Sequence, residues 1–151
     1  MKSRSFSFTK YWLPVLLWLG VIFVGSTDLM SAEHTSRIIG PILRWFDPSV
    51  STVAIAQVQF VVRKIAHVSE YAILSVLILR ALSQAQWRGR ALRAASVTLA
   101  MSAVFAATDE FHQSFVPSRT ASGRDVMIDI VGVLVGVMIY WALVARKQSR
   151  E

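Results

Sequence analysis

Four runs of apolar residues, each near the length that crosses a lipid bilayer, constrain this chain more than any other feature. A membrane helix needs about 20 mostly apolar residues, and the runs at about 11–25, 65–82, 92–108 and 126–145 approach that length. The first is short, and the second carries polar residues among its apolar ones. Composition agrees: 54% of the 151 residues are hydrophobic and only 17% are charged, more apolar than a soluble domain of this size. No strand-like alternation and no internal repeat stands out. Backbone in lipid must satisfy its own hydrogen bonds. The expected fold is therefore all-α, an integral membrane four-helix bundle forming one domain over residues 1–151. With no cysteine, disulfide and thiolate chemistry are excluded.

Lys and Arg accumulate in short cytoplasmic segments, so their distribution predicts orientation. One set of helix ends holds ten basic residues, Lys2, Arg4, Lys10, Arg80, Arg88, Arg90, Arg93, Arg146, Lys147 and Arg150, against Glu151, or +9. The opposite ends hold six, Arg37, Arg44, Arg63, Lys64, Arg119 and Arg124. Against those six stand eight acids, Asp28, Glu33, Asp47, Glu70, Asp109, Glu110, Asp125 and Asp129, or −2. Both termini and the "QAQWRGRALR" turn are thus expected to be cytoplasmic. The pI of 10.6 is then a topology signal. It leaves no basic soluble face for nucleic acid.

The first run also has the form of a signal peptide, with basic residues before an apolar stretch and small residues in "FVGS". A retained first helix is the expectation, and cleavage would leave the later orientation unchanged. The span from Ser26 to Ile65, 40 residues, is a long connection. Its "RIIGPILRWF" portion mixes bulky apolar residues with two arginines, as an interfacial helix does. Asp47 and Pro48 read as the N-cap and first-turn pair of the next helix.

The polar residues gather at the acidic ends. Lys64, His67 and Tyr71 fall at i, i+3 and i+7, one helix face, with Glu70 beside them. Asp125, Asp129, Gly132 and Gly136 follow at i, i+4, i+7 and i+11, acids toward the outer end and glycines deeper. Gly132 and Gly136 form a G-x-x-x-G pair that admits a close neighbouring helix. The segment "DEFHQSFVPSRTASGRD", 109–125, adds Asp109, Glu110, His112, Gln113 and Arg119 at the same level. The three stretches are expected to converge on one polar pocket at the extracytoplasmic side. Structural roles compete at each position: headgroup contact for Arg63 and Arg124, an interhelical ion pair for Glu70 and Asp129, and plain packing for His67 and the glycines.

Taken in order, "KIAHVSEY", "DEFHQ" and "PSRTASGRDVMIDIVGVLVG" fit K-x-x-H-x-x-x-Y, D-E-x-H-Q and P-x-R-x-x-S-x-x-D followed by two spaced glycines. This set resembles the VanZ-like family of small bacterial membrane proteins, over Ser26 and 63–136. The resemblance implies a four-helix integral membrane protein of the bacterial plasma membrane and cell envelope. The family's best-known member is associated with resistance to the glycopeptide antibiotic teicoplanin. Ser118 stands where the family often has Gly, and Asp129 where Asn is commoner, which adds a carboxylate to the pocket.

Chemistry narrows the function to a few classes. Arginine's planar fork suits a phosphate or carboxylate, and an outer-leaflet site reaches lipid headgroups and envelope precursors. An anionic lipid-linked ligand is therefore favoured, bound among Lys64, His67, Glu70, Tyr71, Asp109, Glu110, His112, Gln113, Arg119, Asp125 and Asp129. In that scheme Lys64 and Arg119 neutralise the anion, His67 and Asp109 orient it, and Asp125 holds Arg119. A membrane enzyme acting on a lipid phosphoester is the chief rival, with His67, Asp109, Glu110 and His112 as its candidate catalytic groups. It lacks any P-S-G-H element of lipid phosphatases. A metal site from His67, His112, Asp109 and Glu110 is a third class, although D-E-x-H-Q is not H-E-x-x-H. No cofactor and no metal are expected. Proton-coupled transport is disfavoured, because below the outer third only small hydroxyls and Arg80 are polar.

Overall fold

The computed structural model describes residues 8–28, 31–84, 90–119 and 121–149. Of the residues used for orientation, Lys2, Arg4, Arg88, Arg150 and Glu151 lie outside them, as do residues 85–89 of the "QAQWRGRALR" turn and the side chain of Glu33. Among the described residues there are five helices and no strand: α1 (Phe8–Ser26), α2 (Ala32–Phe46), α3 (Thr52–Gln84), α4 (Ala91–Gln113) and α5 (Gly123–Gln148). Four of them, α1, α3, α4 and α5, are long and apolar enough to cross a membrane.

Helices α1, α4 and α5 each bury one narrow stripe and leave other apolar residues exposed, the arrangement expected where lipid is the solvent, whereas α3 is the most buried of the four long helices. On α1 the stripe is Val15, Ile22 and Ser26, while Leu16, Leu17, Val21 and Phe23 are each at least half exposed. On α4 it is Ala94, Thr98, Ser102, Ala106 and Glu110, a strict four-residue repeat of small residues that ends in a buried acid. Helix α5 buries Asp125, Asp129, Gly132, Val133 and Gly136. Tyr71, Leu74, Ile78 and Leu79 of α3 complete the core.

The most extensive pairing is α3 with α5. A Cβ on Gly132 would lie 2.5 Å from the Val68 carbonyl oxygen, and one on Gly136 would overlap the Ala72 carbonyl and the Ser75 hydroxyl. The glycine pair therefore sets the distance between these backbones, as the G-x-x-x-G spacing predicted. Trp18 Nε1 donates to the Glu70 carbonyl at 2.9 Å and fixes α1 against α3.

The long connection differs from the expectation. Helix α3 begins at Thr52, a few residues after the expected Asp47–Pro48 start, and its 33 residues extend about 50 Å at about 1.5 Å per residue. Asp47 and Pro48 do not start it. Asp47 instead closes a turn, its Oδ1 accepting from Ser49 N at 2.9 Å and Ser49 Oγ at 2.6 Å. Ser51 caps α3 in its place, its Oγ accepting from Ala54 N at 3.1 Å. Helix α2 carries the "RIIGPILRWF" segment and packs on α3, with Ile38, Ile42, Trp45 and Phe46 exposed.

Candidate functional site

The glycine seam between α3 and α5 brings the two polar stripes face to face one to two turns above it. There Lys64 Nζ donates to Asp125 Oδ1, and Arg63 donates to Asp125 Oδ2 at 3.3 Å. One turn deeper, His67 Nδ1 lies 2.9 Å from Asp129 Oδ1. A carboxylate accepts only, so Nδ1 carries the proton and Nε2 of a neutral ring is left as an acceptor. That Nε2 is 3.9 Å from Asp125 Oδ2. Asp125 and Asp129 are fully buried, and His67 and Glu110 nearly so.

Glu110 enters from α4. Its Oε2 accepts from Ser122 N at 2.6 Å, tying the end of α4 to the residue that caps α5. Its Oε1 is buried without a partner, as are Asp129 Oδ2, Gln113 Oε1 and the Tyr71 hydroxyl. The 114–122 loop is held by turns, with Val116 N donating to the Gln113 carbonyl at 3.0 Å and Arg119 N to the Val116 carbonyl at 2.9 Å. Ser118 donates its hydroxyl to Asp28, and Arg119 donates a guanidinium N–H to the Gly25 carbonyl. Both bonds draw the loop over the end of α1.

Beneath that loop a cavity of about 320 Å³ opens between α1, α2 and α3. Ile39, Ala56, Phe60, Val62 and Ala66 line its apolar side, and Arg63, His67, Glu70, Asp109, Gln113 and Arg119 its polar end. Gln113 Nε2 donates to Asp109 Oδ2 at 3.0 Å. Arg119 makes no ion pair among the described residues, and its Nε is buried without a partner. Burial, and after it the positive charge of Arg63, hold this guanidinium below its ordinary value, though an arginine remains charged at neutral pH.

The residues thus divide into a buried ladder and a pocket, with His67 common to both. Lys64, Asp125, Asp129 and Glu110 belong to the ladder. Arg119, Asp109, Glu70 and Gln113 belong to the pocket. His112 stands apart, its ring 4.8 Å from that of Phe23 on α1. Asp125 does not hold Arg119, as the motif order suggested, because Lys64 and Arg63 are brought to it by the α3–α5 seam while Arg119 is carried toward α1 by its loop. Arg63 is correspondingly an ion-pair partner and a pocket residue, not merely a headgroup contact. Gln59, Phe60 and Ile39 were missed. Gln59, Arg63, His67 and Glu70 follow at i, i+4, i+8 and i+11 on one face, a spacing legible once α3 is known to begin at Thr52.

Metal-ligating types converge differently from the His67, His112, Asp109 and Glu110 set considered above. Among the described residues, the group whose donor atoms lie together, within 4.8 Å, is His67, Glu110 and Asp125. Around ladder and pocket, five carboxylates (Glu70, Asp109, Glu110, Asp125, Asp129) face three fixed cations (Arg63, Lys64, Arg119), a formal balance of −2 with His67 neutral.

Four apolar helices of spanning length around a buried polar cluster define a multi-pass, all-helical membrane protein. Residues 11–145 match the profile of the VanZ/LLP1 family, and the chain belongs to that family. No curated protein and no solved structure matches it.

Proposed function

We propose that the protein binds an anionic, lipid-linked headgroup in the pocket between α1, α2 and α3, on the extracytoplasmic face of the bacterial plasma membrane. The observation that carries this reading is Arg119. It is the pocket cation that forms no ion pair among the described residues, whereas Arg63 and Lys64 are both engaged by Asp125. The pocket has the volume of a small-molecule site, about 300 to 1,000 Å³, with apolar walls suited to the first part of a lipid chain. The outward placement rests on the +9 and −2 ends. The exposed Ile38, Ile42 and Trp45 stripe of α2, at i, i+4 and i+7, suits a helix lying in the interface beside the entrance. Envelope precursors carry this chemistry, which is where a link to teicoplanin resistance would arise.

A second reading has one observation in its favour. His67 oriented by Asp129 is the arrangement of a general base, which would suit hydrolysis of a lipid phosphoester.

The test is lipid analysis of detergent-extracted protein. Wild type should carry an anionic lipid that Arg119→Gln loses while inserting normally, and equal retention would overturn the reading. Ala121→Cys should react with an impermeant maleimide in intact cells and Ser149→Cys should not, the reverse pattern inverting the site. Release of a dephosphorylated product by wild type but not His67→Gln would favour the enzyme.

A further inference from the structure

At the ladder three acceptor side chains converge, and the donor that reaches between them is Arg63, on Asp125 Oδ2 at 3.3 Å. Neutral His67 presents Nε2 toward Asp125 Oδ2 across 3.9 Å, and Glu110 brings a carboxylate oxygen to the same point. Facing lone pairs in a buried gap call for a proton or a cation between them, and the Arg63 guanidinium reaches only the Asp125 side of this one. Glu110 is 6% exposed and its Oε1 has no donor, while Ser122 N occupies the other oxygen.

From this convergence we infer that His67, Glu110 and Asp125 form a binding site for a divalent transition metal ion such as Mn²⁺ or Zn²⁺. One imidazole nitrogen with two carboxylate oxygens is a ligand set for such an ion, the imidazole favouring it over Ca²⁺ or Mg²⁺. Bonds of about 2.1 Å at tetrahedral angles place two ligand atoms of one ion about 3.4 Å apart. The trio, whose atoms lie within 4.8 Å of one another, therefore closes by up to about 1.4 Å on binding. Asp129 completes the arrangement, since a metal-bound histidine usually donates its other ring N–H to a carboxylate, which fixes the tautomer that leaves Nε2 free. Lys64 keeps its place on Asp125 Oδ1. Arg63 shares Oδ2 and has the more exposed side chain of the two, so it is the group that turns away, toward the pocket it already lines. The ion would cancel the −2 balance beside an anionic ligand. The inference rests on the headgroup reading for that purpose only, not for the presence of the ion.

MnCl2 titrated into chelator-stripped, delipidated, tag-free protein and followed by electron paramagnetic resonance tests this independently of any lipid. One saturable Mn²⁺ per chain is expected, with a nitrogen coupling from imidazole in the pulsed spectrum and displacement by ZnCl2. Glu110→Gln should weaken binding severely, and His67→Gln should remove the nitrogen coupling. Asp129→Asn, which keeps an acceptor for the ring, should weaken binding by about 10- to 100-fold. His112→Gln should leave the coupling intact. Absence of a saturable site in wild type, saturation without nitrogen coupling, or unchanged affinity in Glu110→Gln would each overturn the assignment. Loss of the coupling in His112→Gln would overturn it too. A negative lipid analysis alongside a positive Mn²⁺ titration would remove the headgroup reading and leave the metal site standing.

Discussion

The two halves of the α3–α5 interface, inner about Gly136 and outer about Asp125 in the proposed orientation, are built from the same two helices on opposite principles. In the inner half, Gly136 sits against Ala72 and Ser75, and the hydroxyls of Ser75 and Thr98 donate to carbonyls of their own helices at 2.8 Å. In the outer half, Lys64, Arg63 and His67 reach across to Asp125 and Asp129, and several buried polar atoms find no partner. Close packing of small residues is sufficient to hold helices together in lipid. The outer half is therefore polar beyond what association requires, and orphaned acceptors there have no structural reason to exist. That contrast is what supports placing the proposed ligand at the outer half.

The comparison breaks most severely at Gly136. A leucine there meets the Ala72 backbone, which cannot yield without moving α3 away from α5. Overpacking costs about 1 to 3 kcal/mol where the core can adjust, and a helix backbone adjusts poorly, so a loss of about 3 kcal/mol is expected for Gly136→Leu in detergent. Thermal unfolding measures it. A melting temperature equal to wild type would mean that this face does not pack as described.

At the outer half the order of effects should invert, with a modest change in stability and a large change in binding. Asp125→Ala removes the shared partner of Lys64 and Arg63. Breaking a buried charge pair costs about 3 to 5 kcal/mol, but both cations keep 20 to 25% side-chain exposure and can reach solvent, so about 2 kcal/mol is expected. Copurifying lipid and Mn²⁺ should nonetheless both be lost. A variant that is strongly destabilised yet still loads both would place Asp125 among structural ion pairs and remove the distinction between the halves.

Much of this contrast was legible in the sequence, because both stripes repeat at helical spacing. Lys64, His67 and Tyr71, and Asp125, Asp129, Gly132 and Gly136, could be assigned to faces from spacing alone, and the glycines predicted the close approach. Pairing was not legible, because whether Asp125 meets Lys64 or Arg119 depends on how the 114–122 loop is drawn over α1 through Ser118 and Arg119. The start of α3 was hidden for a different reason. Gln57 and Gln59 interrupt the apolar run, and the cap is a lone Ser51 whose signal is weaker than that of the Asp47–Pro48 pair just before it. Both starts leave Gln59 and Arg63 inside the helix, and they were passed over as pocket residues because the second apolar run was counted only from residue 65.

The smallest effect belongs to Asp47, which lies outside both halves and provides the control for them. Its carboxylate accepts from the Ser49 hydroxyl and backbone N–H, and these bonds hold it below the ordinary aspartate value. A depressed carboxylate pKa contributes stability that is present above the unfolded value of about 3.9 and lost as pH falls through the lower folded value. The turn between α2 and α3 should therefore loosen only below about pH 4, with stability flat above it. Ser49→Ala removes the side-chain bond, the larger of the two causes, so the Asp47 titration followed by carbon NMR should move up toward the ordinary value. Because the group is exposed, global melting should scarcely change. If Ser49→Ala instead altered lipid or Mn²⁺ binding, the α2–α3 turn would be coupled to the site, and the boundary drawn here around the outer half would have to include it.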